Sequence, residues 1–530
     1  MRNNLLIAGL LLTGILSGQT QKRPKLVIGV VVDQMRYDYL DRFFDDFSDT
    51  GFKRLINEGF NCKNVNYNYK PTYTGPGHAT IFTGVPPSVH GIVGNYWFDR
   101  KLNKPVYCVK VDSKEGIEKN PSRLLVETFA DEMKQFSNFK SKSFGISLKD
   151  RGAILPAGHL ADGAYWFDDK TGEWISSSYY PKKRPQWLAK FNDQDFEKEY
   201  LAEGWGLMHE ASNYSESWPD LNSFENKLSE NSSTVFPYDL KSVKQEIGWA
   251  VLKRIPQGNQ MSADLFMELI EGEELGKDEI TDFISLSFSA TDYVGHRFGV
   301  QSVEVHDTYL RLDRTIAELL SFLDKKIGEK EYVFFLTSDH GASMPLAYLE
   351  EKGLPHGKID GKELTANLKK QMQLQFGDSS WLAKLMNLNV YFNESLKRAN
   401  EQKYLEIKSF TKKWFQNQAG IVHVVENGAL FKSTEERVNR TLLGIHPDRA
   451  GDLILIEEPN WVSYSEKGST HGSAYAYDTH VPLIFFGKGI ENGESSMPYS
   501  ITSIVPTLSL LLNIPLNHAL QTSPIEKIIR

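Results

Sequence analysis

Five short apolar runs, separated by long intervening segments, constrain the fold more than any other feature of the sequence. Residues 25–34, KLVIGVVVDQ, are continuously apolar rather than alternating, which is typical of a strand buried on both faces of a parallel sheet. Runs of the same form occupy residues 283–292, 332–341 and 481–489, and a shorter one occupies residues 143–152. Amphipathic helical patterns lie near residues 124–136 and 305–326. This alternation predicts an α/β fold in which a mostly parallel sheet is sandwiched by helices.

The sequence also predicts how the chain is divided. Residues 1–18 combine an early arginine, an apolar run over residues 5–16 and the small pair Ser17-Gly18, which is the pattern of a cleaved signal peptide. The run is shorter than the roughly 20 residues that span a bilayer, and no cysteine follows it, so we expect an exported protein, periplasmic or secreted, without a membrane anchor. Residues 19–530 are predicted to form one catalytic domain with inserted cap regions at about 160–275 and 350–450.

Composition excludes one class of partner. Hydrophobic residues make up 40% of the 530 residues and charged residues 24%, and the net charge is -8. Nucleic-acid binding usually requires a basic stripe or tail, so no nucleic-acid partner is expected. The two cysteines, Cys62 and Cys108, are open to two interpretations, a disulfide in an oxidising compartment or two buried thiols. The oligomeric state is left open.

Polar residues end or follow most of the apolar runs. Asp33 ends the first, Asp292 with His296 the second, Asp339 with His340 the third, and Lys149 with Arg151 the shortest. Ligands of open parallel sheets bind beyond the carboxyl ends of the strands, where these groups would meet. Aspartate and histidine are zinc ligands, and these residues suffice for two ions if one later histidine joins them. His471 and His480 are both candidates, and the Thr-His-Gly turn favours His471.

The stretch PTYTGPGHAT at residues 71–80 holds one hydroxyl, that of Thr74, in a stiff turn ahead of a helical pattern. Two zinc ions about 4 Å apart would polarise a phosphoryl oxygen and lower the pKa of a coordinated hydroxyl. A helix N-terminus after the turn would add partial positive charge for a phosphate. Thr74 is therefore predicted to be a metal-bound nucleophile.

These motifs resemble the alkaline phosphatase superfamily. The TGPGH at residues 74–78 and the HGIVGN at residues 90–95 resemble its nucleotide pyrophosphatase/phosphodiesterase branch, and D-x-x-x-H, D-H-G and T-H-G resemble its metal motifs. The stretch SLKDRGAILPAG resembles the PafA-type, phosphate-irrepressible alkaline phosphatases. The resemblance implies that one zinc is held by Asp292, His296 and His471, and the other by Asp33, Asp339 and His340 with Thr74 beside it. It further implies that Asn95, Lys149 and Arg151 bind the phosphoryl oxygens.

The predicted function is therefore that of a zinc-dependent phosphomonoesterase, with two Zn²⁺ per chain and a covalent phosphothreonine intermediate on Thr74. Its expected partners are small-molecule phosphate monoesters, because two cationic side chains suit a dianion with three free oxygens. A phosphodiesterase or phosphonate-monoester hydrolase on the same scaffold is the nearest alternative. A secreted non-catalytic binding protein, using the aromatic-rich segment WISSSYYPKKRPQW, is the second.

Overall fold

The computed structural model describes residues 22–113, 116–429, 433–518, 520 and 522–529, and the predicted signal peptide at residues 1–18 lies outside these ranges. A ten-stranded sheet organises the chain. Its strands, in spatial order from one edge, are Gly493–Ser495, Phe60–Asn66, His480–Gly487, Tyr332–Thr337, Leu26–Val32, Asp282–Phe288, Ser143–Ser147, Gly163–Asp168 and Glu173–Ile175, with Tyr499–Ser500 paired to Phe60–Asn66.

Four adjacent parallel strands form the middle of this sheet. Leu26–Val32 lies between Tyr332–Thr337 and Asp282–Phe288, and Ser143–Ser147 pairs on the far side of Asp282–Phe288. Every residue of these four strands is buried, which explains why their sequences are continuously apolar or small rather than alternating. The predicted α/β class with a mostly parallel central sheet is confirmed.

The strand His480–Gly487 differs from the expectation. It runs antiparallel to both of its neighbours, Tyr332–Thr337 and Phe60–Asn66, although its apolar run was predicted to be a parallel strand. Burial on both faces explains the composition of a strand whatever its direction. Direction depends on the connection that precedes the strand, and the apolar run does not encode it.

Helices cover both faces of the central sheet. Along the first strand, Ile28 and Val30 belong to a large apolar core on one face, whereas Val27 and Val31 belong to a second core on the other. The α-helices of seven or more residues are Phe52–Glu58, Thr74–Thr83, Phe129–Phe136, Asp150–Ala157, Gln186–Asn192, Leu240–Ile247, Gln257–Gly272, Ala290–Phe298, Val303–Leu323, Gly361–Phe376, Glu401–Gln416, Glu436–Leu443 and Ile504–Leu512.

Residues 350–450, a predicted insertion, contain most of a second sheet. Its strands, in spatial order, are Leu382–Met386, Asn389–Phe392, Leu453–Glu457 and Ile421–Glu426. This sheet packs with helices Gly361–Phe376 and Glu401–Gln416 around an apolar cluster of its own. The small sheet touches the main body near the predicted site, because Asn387 donates a hydrogen bond to the carbonyl of Tyr96.

Residues 160–275, the other predicted insertion, are more regular than their sequence suggests. The range begins with two strands of the central sheet, Gly163–Asp168 and Glu173–Ile175, and ends with the 16-residue helix Gln257–Gly272. Little helical periodicity was expected here. The helix buries residues around most of its circumference, which masks the periodicity of one apolar face. The division of the chain into a domain with two insertions stays a prediction.

Two further observations concern the predicted export. Cys62 and Cys108 are both buried and free, which agrees with the interpretation as two thiols. In the part of the chain that is described, no helix is long and apolar enough to cross a membrane.

Candidate active site with two metal-ligand clusters

The predicted site residues meet at the carboxyl edge of the central strands. Asp33 directly follows Leu26–Val32, and Asp339 with His340 follows Tyr332–Thr337. Asp292 and His296 lie on helix Ala290–Phe298, which follows Asp282–Phe288. The four parallel strands end side by side, so residues more than 300 positions apart in sequence are neighbours in space.

The first cluster consists of Asp33, Asp339 and His340. One potential ligand atom from each lies within 4.8 Å of the others, and all three side chains are fully buried. Asp33 Oδ1, Asp339 Oδ2 and His340 Nε2 have no hydrogen-bond partner within the described residues. Three buried polar atoms that face one another without partners are costly unless a cation joins them.

The second cluster consists of Asp292, His340 and His471, whose ligand atoms again lie within 4.8 Å of one another. His296 adjoins it, with Nε2 3.2 Å from Asp292 Oδ1. His340 therefore touches both clusters, and its ring stacks on that of His471 at 3.4 Å between centroids. The grouping of Asp292, His296 and His471 around one ion stays a prediction.

Backbone carbonyls orient two of these histidines. Nδ1 of His296 donates to the carbonyl of Ser469 at 2.7 Å, and Nδ1 of His471 donates to that of Thr72 at 2.7 Å. A proton on Nδ1 leaves Nε2 as the free lone pair, and Nε2 is the atom that faces Asp292 in both residues. This is the usual arrangement by which a protein presents imidazole to a metal ion.

Burial and charge set the protonation states of the clusters. Burial lowers the pKa of His340, and it lowers that of His471 further because His340 is close, so both rings are neutral. Burial opposes ionisation of Asp292, but His296 and Lys149 outweigh it and hold its pKa well below the usual range. Burial and the charge of Asp339 raise the pKa of Asp33. Crowded carboxylates of this kind are relieved by a bound cation.

The donors fit divalent metal ions. Neutral imidazoles and carboxylates are the nitrogen and oxygen ligands that zinc accepts, and the donors are arranged as two groups that share one histidine. The unpartnered atoms Asp33 Oδ1, Asp339 Oδ2 and His340 Nε2 are the structural observation that supports this fit.

Lys149 lies between the two clusters. Its ammonium group donates to Asp33 Oδ2 at 2.7 Å and to Asp292 Oδ2 at 2.6 Å. These two carboxylates outweigh the effect of burial and raise the pKa of Lys149, so the group is charged. Lys149 was predicted to bind the phosphoryl group, and in the structure it contacts the carboxylates beside that position. Its phosphoryl-binding role stays a prediction.

Thr74 is the first residue of helix Thr74–Thr83, whereas the sequence predicted that it lies in a turn ahead of the helix. Its side chain is buried, and Arg151 Nη2 lies 3.4 Å from its hydroxyl. The helix packs against the first cluster so closely that a Cβ at Gly77 would lie 2.5 Å from the carbonyl oxygen of Asp339. Only glycine fits at that position, which accounts for the small residue within the motif.

Asn95 and Arg151 meet at the start of this helix. The backbone N–H of Gly75 donates to Asn95 Oδ1 at 2.7 Å, so the amide nitrogen of Asn95 remains available to a ligand. Arg151 Nη1 lies 3.2 Å from the hydroxyl of Tyr107, which in turn donates to Asp150 Oδ1. Tyr107 and Asp150 thus fix the orientation of the guanidinium group.

His78 connects helix Thr74–Thr83 with the first cluster. Its Nδ1 lies 2.9 Å from the carbonyl of Thr74 and 3.3 Å from Asp339 Oδ2, and its Nε2 contacts Ser287. A structural role was predicted for His78. These contacts would let it hold helix Thr74–Thr83 against the first cluster.

His480 lies away from both clusters. Its ring stacks on Tyr37 and its Nε2 contacts the carbonyl of Lys63. Of the two late histidines, His471 is the one that the structure brings to the ligand set.

Sequence reasoning missed two neighbours of the site. Gln34 donates from its side chain to Asp292 at 2.6 Å and from its backbone to Asp339 at 3.2 Å, so it bridges the clusters. The ring of Tyr293 lies 5.0 Å from the ammonium group of Lys149. The only sequence signal for these two residues was adjacency, since Gln34 directly follows Asp33 and Tyr293 directly follows Asp292.

Comparison with known proteins places the chain among relatives along nearly its whole length. The model of the family "Type I phosphodiesterase / nucleotide pyrophosphatase" matches residues 27–481. A protein of Myroides odoratus named "Calcium-transporting ATPase" is 39% identical, covering 97% of this chain and 96% of its own. "Alkaline phosphatase PafA" of Elizabethkingia meningoseptica is 37% identical, covering 99% and 98%. The crystal structure of wild-type alkaline phosphatase PafA superimposes with a TM-score of 0.90 at 37% identity, covering 96% of this chain and 99% of that one.

Proposed function

The chain belongs to the type I phosphodiesterase/nucleotide pyrophosphatase family and is a phosphate-monoester hydrolase of the PafA type within the alkaline phosphatase superfamily, and we propose that it works with two zinc ions and a phosphothreonine on Thr74. The resemblance inferred from the motifs is thereby confirmed. The site residues, the number and identity of the metal ions and the covalent intermediate belong to the proposal.

One observation carries the proposal. Thr74 lies at the N-terminus of a helix that packs on a buried cluster of unpartnered carboxylate and imidazole atoms, and Arg151 contacts its hydroxyl. A hydroxyl, a cationic group and metal ligands at one place are the components of phosphoryl transfer. Asp33, Asp339 and His340 would hold one ion, and Asp292, His296 and His471 the other. Two such ions supply Lewis-acid charge and lower the pKa of a nearby hydroxyl.

The chain's own residues account for both halves of the reaction. The Thr74 hydroxyl gives up its proton to water and its oxygen forms a bond to phosphorus, while the bond between phosphorus and the ester oxygen breaks. The leaving oxygen takes up a proton from water, which gives an alcohol and phosphothreonine. Water then attacks the phosphothreonine, which releases inorganic phosphate and restores the Thr74 hydroxyl. Asn95 and the N-terminus of helix Thr74–Thr83 donate to the phosphoryl oxygens during both steps.

Arg151 favours monoesters over diesters. Tyr107 orients it, and its Nε has no hydrogen-bond partner within the described part of the chain. A monoester dianion offers three free oxygens to Arg151 and Lys149, whereas a diester carries one charge and a second substituent. The phosphodiesterase and phosphonate-hydrolase alternatives lack this match, and the complete ligand set disfavours a non-catalytic binding protein.

We further propose that the protein is exported, to the periplasm or beyond the cell, and acts there on small phosphate esters. The support is the signal-peptide pattern at residues 1–18 and the excess of acidic over basic residues, which disfavours polyanionic partners.

The test combines metal analysis with two substrates that share a leaving group. The purified protein should hold about two zinc ions per chain, lose activity on chelation and hydrolyse an aryl monoester faster than the matched diester. Lys149→Ala and Arg151→Ala should each lower kcat/KM for the monoester by about 10- to 100-fold and for the diester by less. Equal losses on both substrates would favour the phosphodiesterase alternative, and full activity after verified metal removal would exclude the two-metal site.

A further inference from the structure

A cavity of about 660 Å³ opens beside the second metal-ligand cluster. His296 and Tyr293 line it, together with the charged residues Arg254, Arg297, Lys227 and Glu230. The cavity is distinct from the groups around Thr74, which does not line it.

The two arginines lack acidic partners. Arg254 Nη1 donates to the carbonyl of Leu228 at 3.0 Å and Arg297 Nη1 donates to that of Lys227, and among the described residues neither arginine forms an ion pair. Each guanidinium carries five N–H donors, so most of the donors on both groups remain free to bind a ligand.

The surrounding charges do not balance this pair. Arg254 and Arg297 are half-buried and Lys227 adds a third positive charge. Glu230 is the one carboxylate among the described residues that line the cavity. Two like charges held together in a partly dehydrated cavity are unfavourable unless an anion joins them.

The pair is fixed to the catalytic centre. Arg297 directly follows His296 on helix Ala290–Phe298, and Tyr293 lies one turn earlier with its ring 5.0 Å from the ammonium group of Lys149. The attacking and leaving oxygens of a phosphoryl transfer are roughly in line, so the leaving group points away from Thr74. The cavity is lined by His296 and not by Thr74, which suits a leaving group directed away from the Thr74 oxygen.

We propose that Arg254 and Arg297 form a subsite for a second anionic group on the leaving group, so that the preferred substrates are phosphate monoesters whose alcohol carries a further phosphate or carboxylate. This inference rests on the proposed phosphomonoesterase function and adds a substrate class to it. A neighbouring cavity of about 320 Å³, which also contains His296, is lined by Glu457 and Asp478 and by no lysine or arginine among its described residues. Of these two cavities that contain His296, the arginine cavity is the one whose described lining residues offer cationic groups to an anionic leaving group.

The experiment compares substrates of equal intrinsic reactivity. Alkanediol bisphosphates of three to six carbons are paired with the corresponding hydroxyalkyl monophosphates, and ω-carboxyalkyl phosphates of the same lengths distinguish a phosphate from a carboxylate preference. For each pair we measure the ratio of kcat/KM with and without the second anion, at low and at high salt.

The wild-type protein should prefer the doubly anionic substrate at one or two chain lengths. Arg254→Gln and Arg297→Gln should each lower that ratio by about 10- to 100-fold, the effect of losing a charge-assisted hydrogen bond, and Arg254→Lys should restore part of it. Arg314→Gln, an exposed arginine on another helix, makes the same change in net charge and should leave the ratio unchanged. High salt should reduce the preference in the wild type.

The possible failures are distinguishable. If Arg254→Gln and Arg297→Gln leave the ratio unchanged while the hydroxyalkyl monophosphates are still hydrolysed, the subsite is overturned and the proposed phosphomonoesterase function is not. Equal losses on both members of a pair also overturn it, because the arginines would then act on folding or on the catalytic centre. Hydrolysis of no monoester by the metal-loaded protein overturns the proposed function itself.

Discussion

Two clusters in this chain have the same kinds of residue and different surroundings. Asp33, Asp339 and His340 form one, and Asp46, Glu216 and His306 form the other, each with three ligand atoms within 4.8 Å. In the first, all three residues are buried. In the second, only His306 is buried, Asp46 is half-buried and Glu216 is exposed.

The difference lies in how far their polar atoms are satisfied. In the His306 cluster, Nε2 of His306 pairs with Asp46 at 3.2 Å, Nδ1 contacts Ser217, and the ring stacks on Phe43. In the Asp339 cluster, Asp33 Oδ1 and His340 Nε2 have no hydrogen-bond partner within the described residues. Asp339 Oδ2 has the Nδ1 of His78 at 3.3 Å, and that nitrogen also contacts the carbonyl of Thr74 at 2.9 Å. Proximity of carboxylates and imidazole is common in proteins, whereas buried polar atoms without hydrogen bonds are rare and are the pattern expected of a cation-binding site.

The sharpest test makes the same substitution in both clusters. Asp339→Asn should remove at least one of two zinc ions and several kcal/mol of charge stabilisation, which lowers monoesterase kcat by roughly 10⁴-fold. Asp46→Asn should leave the zinc content and kcat nearly unchanged. Metal analysis and steady-state kinetics on both variants decide the matter, and a zinc deficit in Asp46→Asn would mean that hydrogen-bond satisfaction does not distinguish the clusters.

The next largest effect is expected at Thr74, the proposed nucleophile, which lies beside the first metal-ligand cluster. Thr74→Ala should lower kcat by roughly 10³-fold and keep both metal ions, since the change deletes one hydroxyl and a water can still be activated there. Thr74→Ser should retain much more activity. Acid quench after a brief reaction with ³²P-labelled monoester should trap label on the wild type and none on Thr74→Ala. Turnover of Thr74→Ala near that of the wild type would place the nucleophile elsewhere.

The Asp339 cluster was accessible from sequence because its residues follow apolar runs, and strand ends meet at one edge of a parallel sheet. The same reasoning found Asp33, Asp292, His340 and the alternation of strands and helices. It could not give the antiparallel direction of His480–Gly487, because an apolar run buried on both faces is the same in either direction. It also could not place Lys149 between Asp33 and Asp292, because side-chain direction depends on the packing of three separate strands.

The contacts beyond the proposed metal ligands were harder to predict from the sequence. Tyr107 lies 44 positions before Arg151, and no local pattern joins them, although the hydrogen bond between them orients the guanidinium group that is proposed to bind the phosphoryl group. The His306 cluster shows the converse limit. Its aspartate and histidine come together from positions 260 apart and form a pair that is satisfied without a metal ion.

A third prediction compares the two late histidines. His471 faces the proposed metal ligands, whereas the ring of His480 has its contacts elsewhere. His471→Ala should weaken zinc binding by at least about 10- to 100-fold, the range seen even for residues that only support a ligand. His480→Ala should leave zinc affinity unchanged, because its ring stacks on Tyr37 away from both clusters. Competition with a chelator of known affinity measures both values, and the reverse order would make His480 the ligand.

The smallest effect concerns a buried carboxyl group close in sequence to the His306 cluster. Glu304 lies two positions before His306 on helix Val303–Leu323, fully buried, and accepts a hydrogen bond from Tyr238. Burial raises the pKa of Glu304 from 4.5 to about 8, so the folded state holds a proton that the unfolded state releases. A raised carboxyl pKa gives a stability that is complete below pH 4.5 and is lost as the pH rises through 8.

Glu304→Gln cannot lose that proton, so at pH 9 the free energy of unfolding of the variant should exceed that of the wild type by about 1.4 kcal/mol or more, the value of one pKa unit. At pH 5 the two proteins should be nearly equal, and the exposed substitution Glu210→Gln should follow the wild type at both values. Chemical denaturation at pH 5 and pH 9 measures the difference, and a variant that is destabilised equally at both would show that Glu304 is ionised in the folded protein.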